Sequence, residues 1–252
     1  AEPQPAPTRQ AQPTPVRHPH AAPARASQAL ALVTVVDGDT RLRIRTALVR
    51  IGPHRAHANN HGVAWIRILP SASFLVTASA PGYDARTVRE SFRLYRQVTI
   101  RLFQPRLQWT MYGASPARVQ TQDWPNLRPP FRIVWSRGLD SLIEFPAVVS
   151  DGIAYIGNSQ GTIDALSMAS GDLLWRHVTP GGKMASSPAV WGGLLVVHGM
   201  DGHVWVLDLR TGQSRWSFSV GSPVESSPVV QAGVDFFGAW DGTVYALDLR
   251  TR

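Results

Sequence analysis

The chain has 252 residues, 44% of them hydrophobic, no cysteine and a formal net charge of +8. The missing thiols exclude a disulfide framework, a thiolate metal site and a cysteine nucleophile, and no apolar run reaches the ~18 residues of a membrane-spanning helix. The charge is lopsided, net +11 over residues 1–130 and −3 over residues 131–252; a basic half suits an anionic surface, but no aromatics interleave with its arginines as stacking platforms, so nucleic acid is not an expected partner.

Residues 1–28 hold seven prolines among Ala, Gln, Thr and Arg. No apolar period runs through them, so they are read as a disordered linker or stalk with extended polyproline character. They lack the apolar centre of a signal peptide, and are expected to follow a removed signal or an upstream anchor.

Residues 29–104 read as a separate β module. Ala31–Val36, Arg41–Ile44, Ala47–Ile51, Val63–Ile68, Phe74–Ala78 and Val98–Leu102 are short, often alternating segments split by turn residues. His54, His57 and His61 fall close together beside Asn59 and Asn60. Three imidazoles can bind zinc or copper, but these are expected in a solvated, turn-rich loop. Residues 105–130 connect this module to the C-terminal half of the chain.

From residue 131 the chain repeats itself. Pro146, Pro188 and Pro228 keep a period near 40 residues, as do Gly161, Gly202 and Gly242, and Trp135, Trp175 and Trp216. Apolar runs such as Ile153–Ile156, Leu194–Val197 and Val204–Leu207 are bounded by Gly and Asp, with Asp-Gly turns at 151–152, 201–202 and 241–242. Four strands per period make one small sheet, and such sheets repeated radially make a β-propeller in which neighbouring blades cover each other. Phe131–Gly138 is expected to be the outer strand of a closing blade, hiding an otherwise open edge. The sequence holds two units and most of a third, so the polypeptide is expected to continue, or several chains to complete a ring.

The stretch V-L-D-L-R-T-G-Q-S-R-W, Val206 to Trp216, resembles the tryptophan-docking repeat of pyrroloquinoline-quinone (PQQ)-type propellers. Ala165–Trp175 and Ala246–Thr251 keep parts of it, and Trp109–Arg118 is similar to the entry motif before the first blade. The resemblance implies scaffold roles for Trp135, Trp175, Trp216, Gly161, Gly202, Gly242, Asp208 and Asp248. In the earlier module, A-L-V-R-I-G-P from Ala47, Gly62, Pro70 and A-P-G-Y at Ala80–Tyr83 resemble the carboxypeptidase-regulatory, transthyretin-like β-sandwich. That resemblance implies an extracytoplasmic accessory domain. The fold class expected is all-β: a transthyretin-like sandwich over 29–104, then a partial propeller of four-stranded blades over 131–252.

The function expected is non-catalytic binding or scaffolding at the cell envelope, the propeller recognising a protein or an envelope polymer. The turns Asn158–Gln160, Met200–Asp201 and Ala239–Asp241 occupy equivalent positions in successive units, and Asn158, Gln160, Asp201, Trp240 and Asp241 are the candidate ligand-facing residues. No residue is assigned to catalysis, a cofactor or a metal. One alternative is a PQQ-dependent dehydrogenase whose catalytic blades lie beyond Arg252, with PQQ and calcium; the propeller carboxylates Asp151, Asp201, Asp208, Asp241 and Asp248 sit at turn or motif positions, and Asp164 and Glu225 find no partner for a calcium cage. Another is a homo-oligomeric structural unit assembling through open blade edges. His177, His198 and His203 stand singly in the blades, on the surface or packed between them, and no nucleophile elbow or phosphate loop occurs.

Overall fold

The computed structural model describes residues 28–92, 95–122 and 128–251; the stalk expected over 1–28 lies outside them but for Gln28. The described chain is all-β apart from one 3-10 turn, Pro105–Leu107. Among the described residues no helix is long and apolar enough to cross a membrane.

The N-terminal half forms two sheets. Strands β1 (Ala29–Asp37), β4 (Val63–Ile68) and β7 (Tyr95–Leu102) make one, with β1 central, antiparallel to β4 and parallel to β7. Strands β2 (Leu48–Ile51), β3 (His54–His57), β5 (Ser71–Ser79) and β6 (Arg86–Phe92) make the other, in the order β3-β2-β5-β6. Alternation aims one face of each strand inward: in β4, Ala64, Ile66 and Ile68 are buried while Trp65 and Arg67 are exposed. Val33, Val35, Ile66 and Ile100 meet Val49, Ile51, Val76 and Phe92 in one shared core.

Three sequence expectations are corrected in this half. Arg41–Ile44 is not a strand but a turn held by one bridge, Val36 to Arg43, with Arg41 at φ 63°. Strands β3 and β6 were not expected, and both are edge strands rich in charged or polar residues, where such residues are favoured because they deter edge-to-edge pairing. His54 and His57 therefore lie on a strand rather than in a loop. Being three residues apart they project to opposite faces, and both are exposed, as is His61.

A polar hub ends β1. The buried Asp37 carboxylate accepts hydrogen bonds from the Tyr83 hydroxyl (2.7 Å), Gln104 Nε2 (3.0 Å) and the amides of Asp39 and Thr40 (2.9 and 2.8 Å). Burial alone would raise its pKa; these bonds outweigh burial and hold it below the ordinary carboxylate range. Burial first, and then donation to Asp37, push the Tyr83 hydroxyl up to about 12. Next to the hub, Phe103 wedges the two halves together. Its ring occupies the space a Cβ on Gly38 would need and lies 3.1 Å from where a Cβ on Gly152 would stand. Trp109 pairs with Val149 through two backbone bonds, and Gln108 Oε1 accepts the Asp151 amide at 2.9 Å.

The repeats form three sheets in sequence order. The first comprises β8 (Val148–Ser150), β9 (Ile153–Gly157), β10 (Thr162–Ser167) and β11 (Leu173–Val178). The second comprises β12 (Ala189–Trp191), β13 (Leu194–His198), β14 (His203–Asp208) and β15 (Ser214–Ser219), and the third β16 (Val229–Gln231), β17 (Val234–Gly238) and β18 (Val244–Asp248). The middle sheet is apolar on both faces because each face is covered: Leu195, Val197 and Leu207 pack against Tyr155 and Ile163 of the first sheet. Val196, Val204 and Val206 pack against Phe237 and Val230 of the third. The equivalent residues of the third sheet, Phe236, Val244 and Ala246, are exposed.

Tryptophans staple the sheets. The Trp175 ring fills the space of a Cβ on Gly212 (φ 70°), and its Nε1 donates to the Leu209 carbonyl at 3.1 Å. Trp135 repeats this one unit earlier, over Gly171 (φ 75°), donating to the Met168 carbonyl at 2.8 Å. A bulge recurs beside the partner of each docked or equivalent ring, at Ala165/Leu166 and Val206/Leu207. Trp135 is docked, yet Phe131–Gly138 forms no strand, which corrects the expectation of a closing-blade strand: no sheet edge of the described residues reaches it, and Phe131, Ile133 and Val134 stay exposed.

One buried pair joins the second and third sheets. His198 Nδ1 lies 2.6 Å from the Ser226 carbonyl, which can only accept, so Nδ1 carries a proton; Nε2 lies 2.9 Å from Asp235 Oδ2. Both residues are fully buried.

Two outcomes are expected. Removing one partner of the pair leaves an uncompensated polar group, so His198→Leu should cost about 3–5 kcal/mol in urea unfolding. The double variant His198→Leu/Asp235→Leu should cost less than His198→Leu alone; additive losses would contradict a coupled pair. For Tyr83 the folded pKa is raised above the unfolded value, so its contribution is complete below about pH 10 and fades as pH rises toward about 12. The parent should therefore lose more stability than Tyr83→Phe across that window; parallel pH profiles would contradict the assignment.

Candidate functional site

Each blade turns between its second and third strands at one end of the array: 158–161, 199–202 and 239–242. The same end receives the segments that enter each blade, and one backbone bond recurs between the two sets. Ser159 donates to the Leu142 carbonyl (2.9 Å), Met200 to Lys183 (2.9 Å) and Trp240 to Pro223 (3.0 Å). The loops of this end are thus fixed by main-chain bonds independent of side-chain identity, which leaves their side chains free to vary.

The sequence-derived candidates fall on these turns with different fates. Asn158 is buried: its Oδ1 accepts the amides of Gln160 and Thr162 (both 3.0 Å) and its Nδ2 donates to the Leu139 carbonyl at 2.8 Å. It builds the turn and presents nothing outward, a correction to its candidacy as a ligand-facing residue. Gln160 is exposed. Asp201 accepts the His203 amide (3.1 Å) and sits 3.2 Å from His203 Nδ1. Asp241 accepts the Thr243 amide (2.8 Å) and the Tyr245 hydroxyl (2.9 Å); the first of these bonds does most to lower its pKa. Trp240 is 65% exposed, its Nε1 bonded to Glu225 Oε2 at 3.1 Å.

Residues that sequence reasoning did not single out complete the surface. Leu142 (61% exposed) and Ile143 (41%) lie on the segment entering the first blade, beside exposed Asp140 and Glu144. The end therefore shows two aliphatic side chains and a tryptophan among Asp140, Glu144, Glu225 and Asp241, with Lys183 as an exposed cation. The signal was available: L-I-E at 142–144 precedes Phe145 in a segment that otherwise reads as a connection.

The repeat residues have structural settings. Gly161, Gly202 and Gly242 close the turns of this end with φ near 80°. Asp208 accepts the amides of Arg210 and Thr211 and pairs with Arg215, which holds its carboxyl down to about 2. Asp248 is held down to about 2 by Arg250 in the same way. Trp216 packs into the core between the second and third sheets. Asp151 lies off the 40-residue beat, in the turn joining β8 to β9 rather than the outer turn of Asp201 and Asp241.

A quinone held with calcium needs converging carboxylate and amide oxygens, and the residues present do not supply them. Asp164 is buried and receives two bonds from Arg176 (2.7 and 2.8 Å), while Glu225 is bonded to Trp240. Among the described residues no three His, Asp or Glu side chains are placed to hold a metal ion. His198 and Asp235, the pair that sequence reasoning missed, are sealed between blades. They stand where the other units have Gly157 or Gly238, and Ala154 or Leu195, so a departure from the repeat was the readable signal.

The family model described as outer membrane protein assembly factor BamB matches residues 106–252. A quinohemoprotein alcohol dehydrogenase, ADH IIB, from Pseudomonas putida is 26% identical over 133 residues, 46% of this chain and 19% of that protein. The chain thus spans about a fifth of the length of that relative. The crystal structure of quinohemoprotein alcohol dehydrogenase from Comamonas testosteroni superposes with a TM-score of 0.51 at 22% identity, covering 57% of this chain and 26% of the other. A europium-containing methanol dehydrogenase gives 0.51 at 17%, covering 59% and 31%; both structures speak to fold alone. With three consecutive sheets repeating at a period near 40 residues and the match running over more than half its length, the chain belongs to the BamB family of propeller-repeat proteins.

Proposed function

We propose that this chain is a non-catalytic binding module of the cell envelope whose propeller end, at Leu142, Ile143, Trp240 and the neighbouring acids, docks a protein partner. The observation that carries this reading is the composition of that end: large apolar side chains held out of the core by rigid loops, inside a polar rim. That is the anatomy of a protein interface. The acids Asp140, Glu144, Glu225 and Asp241 favour a partner with basic residues around an apolar anchor. An extracytoplasmic location and a protein partner are in keeping with the family's description as an outer membrane assembly factor. In this reading residues 1–28 are a stalk, 29–104 a carboxypeptidase-regulatory-like sandwich that spaces or presents, 105–130 a connection and 131–252 the binding propeller. The likeness to a quinohemoprotein dehydrogenase keeps a PQQ-dependent fragment as the enzymatic alternative, and the engagement of Asp164 by Arg176 and of Glu225 by Trp240 speaks against it.

A second reading, self-assembly, is favoured by the uncovered face of the third sheet, where Val244 is 81% exposed, together with the exposed segment 131–138. One experiment separates the two. A photo-crosslinking residue is placed at Ile143, at Gln231 on the opposite end, or at Val244, and the protein is irradiated in cells. Docking at the loop end predicts an adduct with a different protein from position 143 and not from 231. Equal adducts from 143 and 231, or none from 143, would sink it. Chain-to-chain adducts from position 244 alone would establish the second reading instead.

A further inference from the structure

Away from the loop end, a cavity of about 670 Å³ lies where the N-terminal sheets meet the first blade. Clefts of this size at module junctions suit small ligands. Three arginines line it: Arg41 on the turn after β1, Arg86 at the start of β6 and Arg101 at the end of β7. Among the described residues none of the three is in an ion pair. Arg86 sits 5.8 Å over the Phe103 ring, the ring wedged between Gly38 and Gly152, so the junction itself fixes this guanidinium.

Two carboxyls share the walls. Asp39 comes from the N-terminal half and Asp151 from the first turn of the propeller. Both reach solvent, and partial desolvation against the cleft walls raises both carboxyls, helped in Asp39 by the charge of Asp37 and partly offset in Asp151 by Arg86. Met168 and Leu174 add an aliphatic rim, 43% and 50% exposed.

This combination narrows the ligand. Three guanidiniums outside any ion pair, Arg86 alone acting on the Asp151 charge, call for an anion, and their planar forks match carboxylate geometry. A bare inorganic anion would leave the two carboxyls and the apolar rim unused. An acidic peptide would bring carboxylates and amide donors but no ring C–H face for the aliphatic rim. A sugar acid supplies all three features. We propose that this cleft binds an oligosaccharide containing uronic acid, its carboxylate forked by arginine, its hydroxyls donated to Asp39 and Asp151, and its C–H face laid on Met168 and Leu174. The site is independent of the protein-docking end.

The test is isothermal titration of the whole chain with trigalacturonate, maltotriose and tetraglutamate. Trigalacturonate should bind, and the neutral and peptidic probes should bind at least about tenfold more weakly. Arg41→Gln and Arg101→Gln alter exposed side chains and leave the core alone; each should weaken trigalacturonate about tenfold or more, with thermal unfolding unchanged. The proposal is overturned if trigalacturonate gives no heat at millimolar concentration. It is equally overturned if tetraglutamate or maltotriose binds as tightly, or if both arginine variants bind like the parent.

Discussion

The structure depends on covering each small sheet on both faces. A four-stranded blade made of runs such as L-L-V-V-H and H-V-W-V-L-D is apolar above and below, so it has no solvated side to rest on. Neighbouring blades supply the cover, and the tryptophan staple sets their spacing: one ring presses on a glycine that must lack a Cβ, and one indole N–H bonds a turn carbonyl. In such arrays stability is a sum of unit terms and nearest-neighbour interface terms. The middle sheet is accordingly the best protected, and the third is covered on one face within the described residues.

That division of labour shapes what the surface can do. Because stapling and backbone bonds fix the blade ends, the loop side chains are not needed for folding and can be given to recognition. Where the structure spends a side chain on building, as with Asn158, it is lost to binding; where the main chain does the building, as with Trp240, the side chain faces outward. The junction with the N-terminal half obeys the same logic. Phe103, Gln108 and the Asp37 hub join the two parts, and among the described residues Arg41, Arg86 and Arg101 beside them make no ion pair.

Much of the fold was legible in the sequence because repetition multiplies a weak signal. The 40-residue beat of Trp, Gly and Pro, with β-rich runs between, marked the sheets and their order, and the scaffold role of the tryptophans was what the family resemblance implied. What escaped had a local physical cause. Strands β3 and β6 are edge strands whose exposed positions carry Arg, His and Thr, so the alternation that marks a strand was masked. Residues 131–138 have the pattern of an outer strand, but a pattern makes a strand only where a sheet edge meets it. The pair was overlooked because His198 reads as a lone histidine and Asp235 lies outside the repeat motifs; only in space do they satisfy one another. The exposed Leu142 and Ile143 read as ordinary connection residues, since exposure of an apolar side chain is a tertiary property. The functional chemistry is less legible than the fold, because propeller loops share one scaffold among many partners.

Native-state hydrogen exchange tests the central claim, that each blade is stable because its neighbours cover it. The account predicts that the amides of β13 and β14 exchange most slowly, those of β17 and β18 faster, and those of residues 131–138 at close to unprotected rates. Equal protection of all three sheets would contradict it, for then each sheet would be holding itself together without its neighbours.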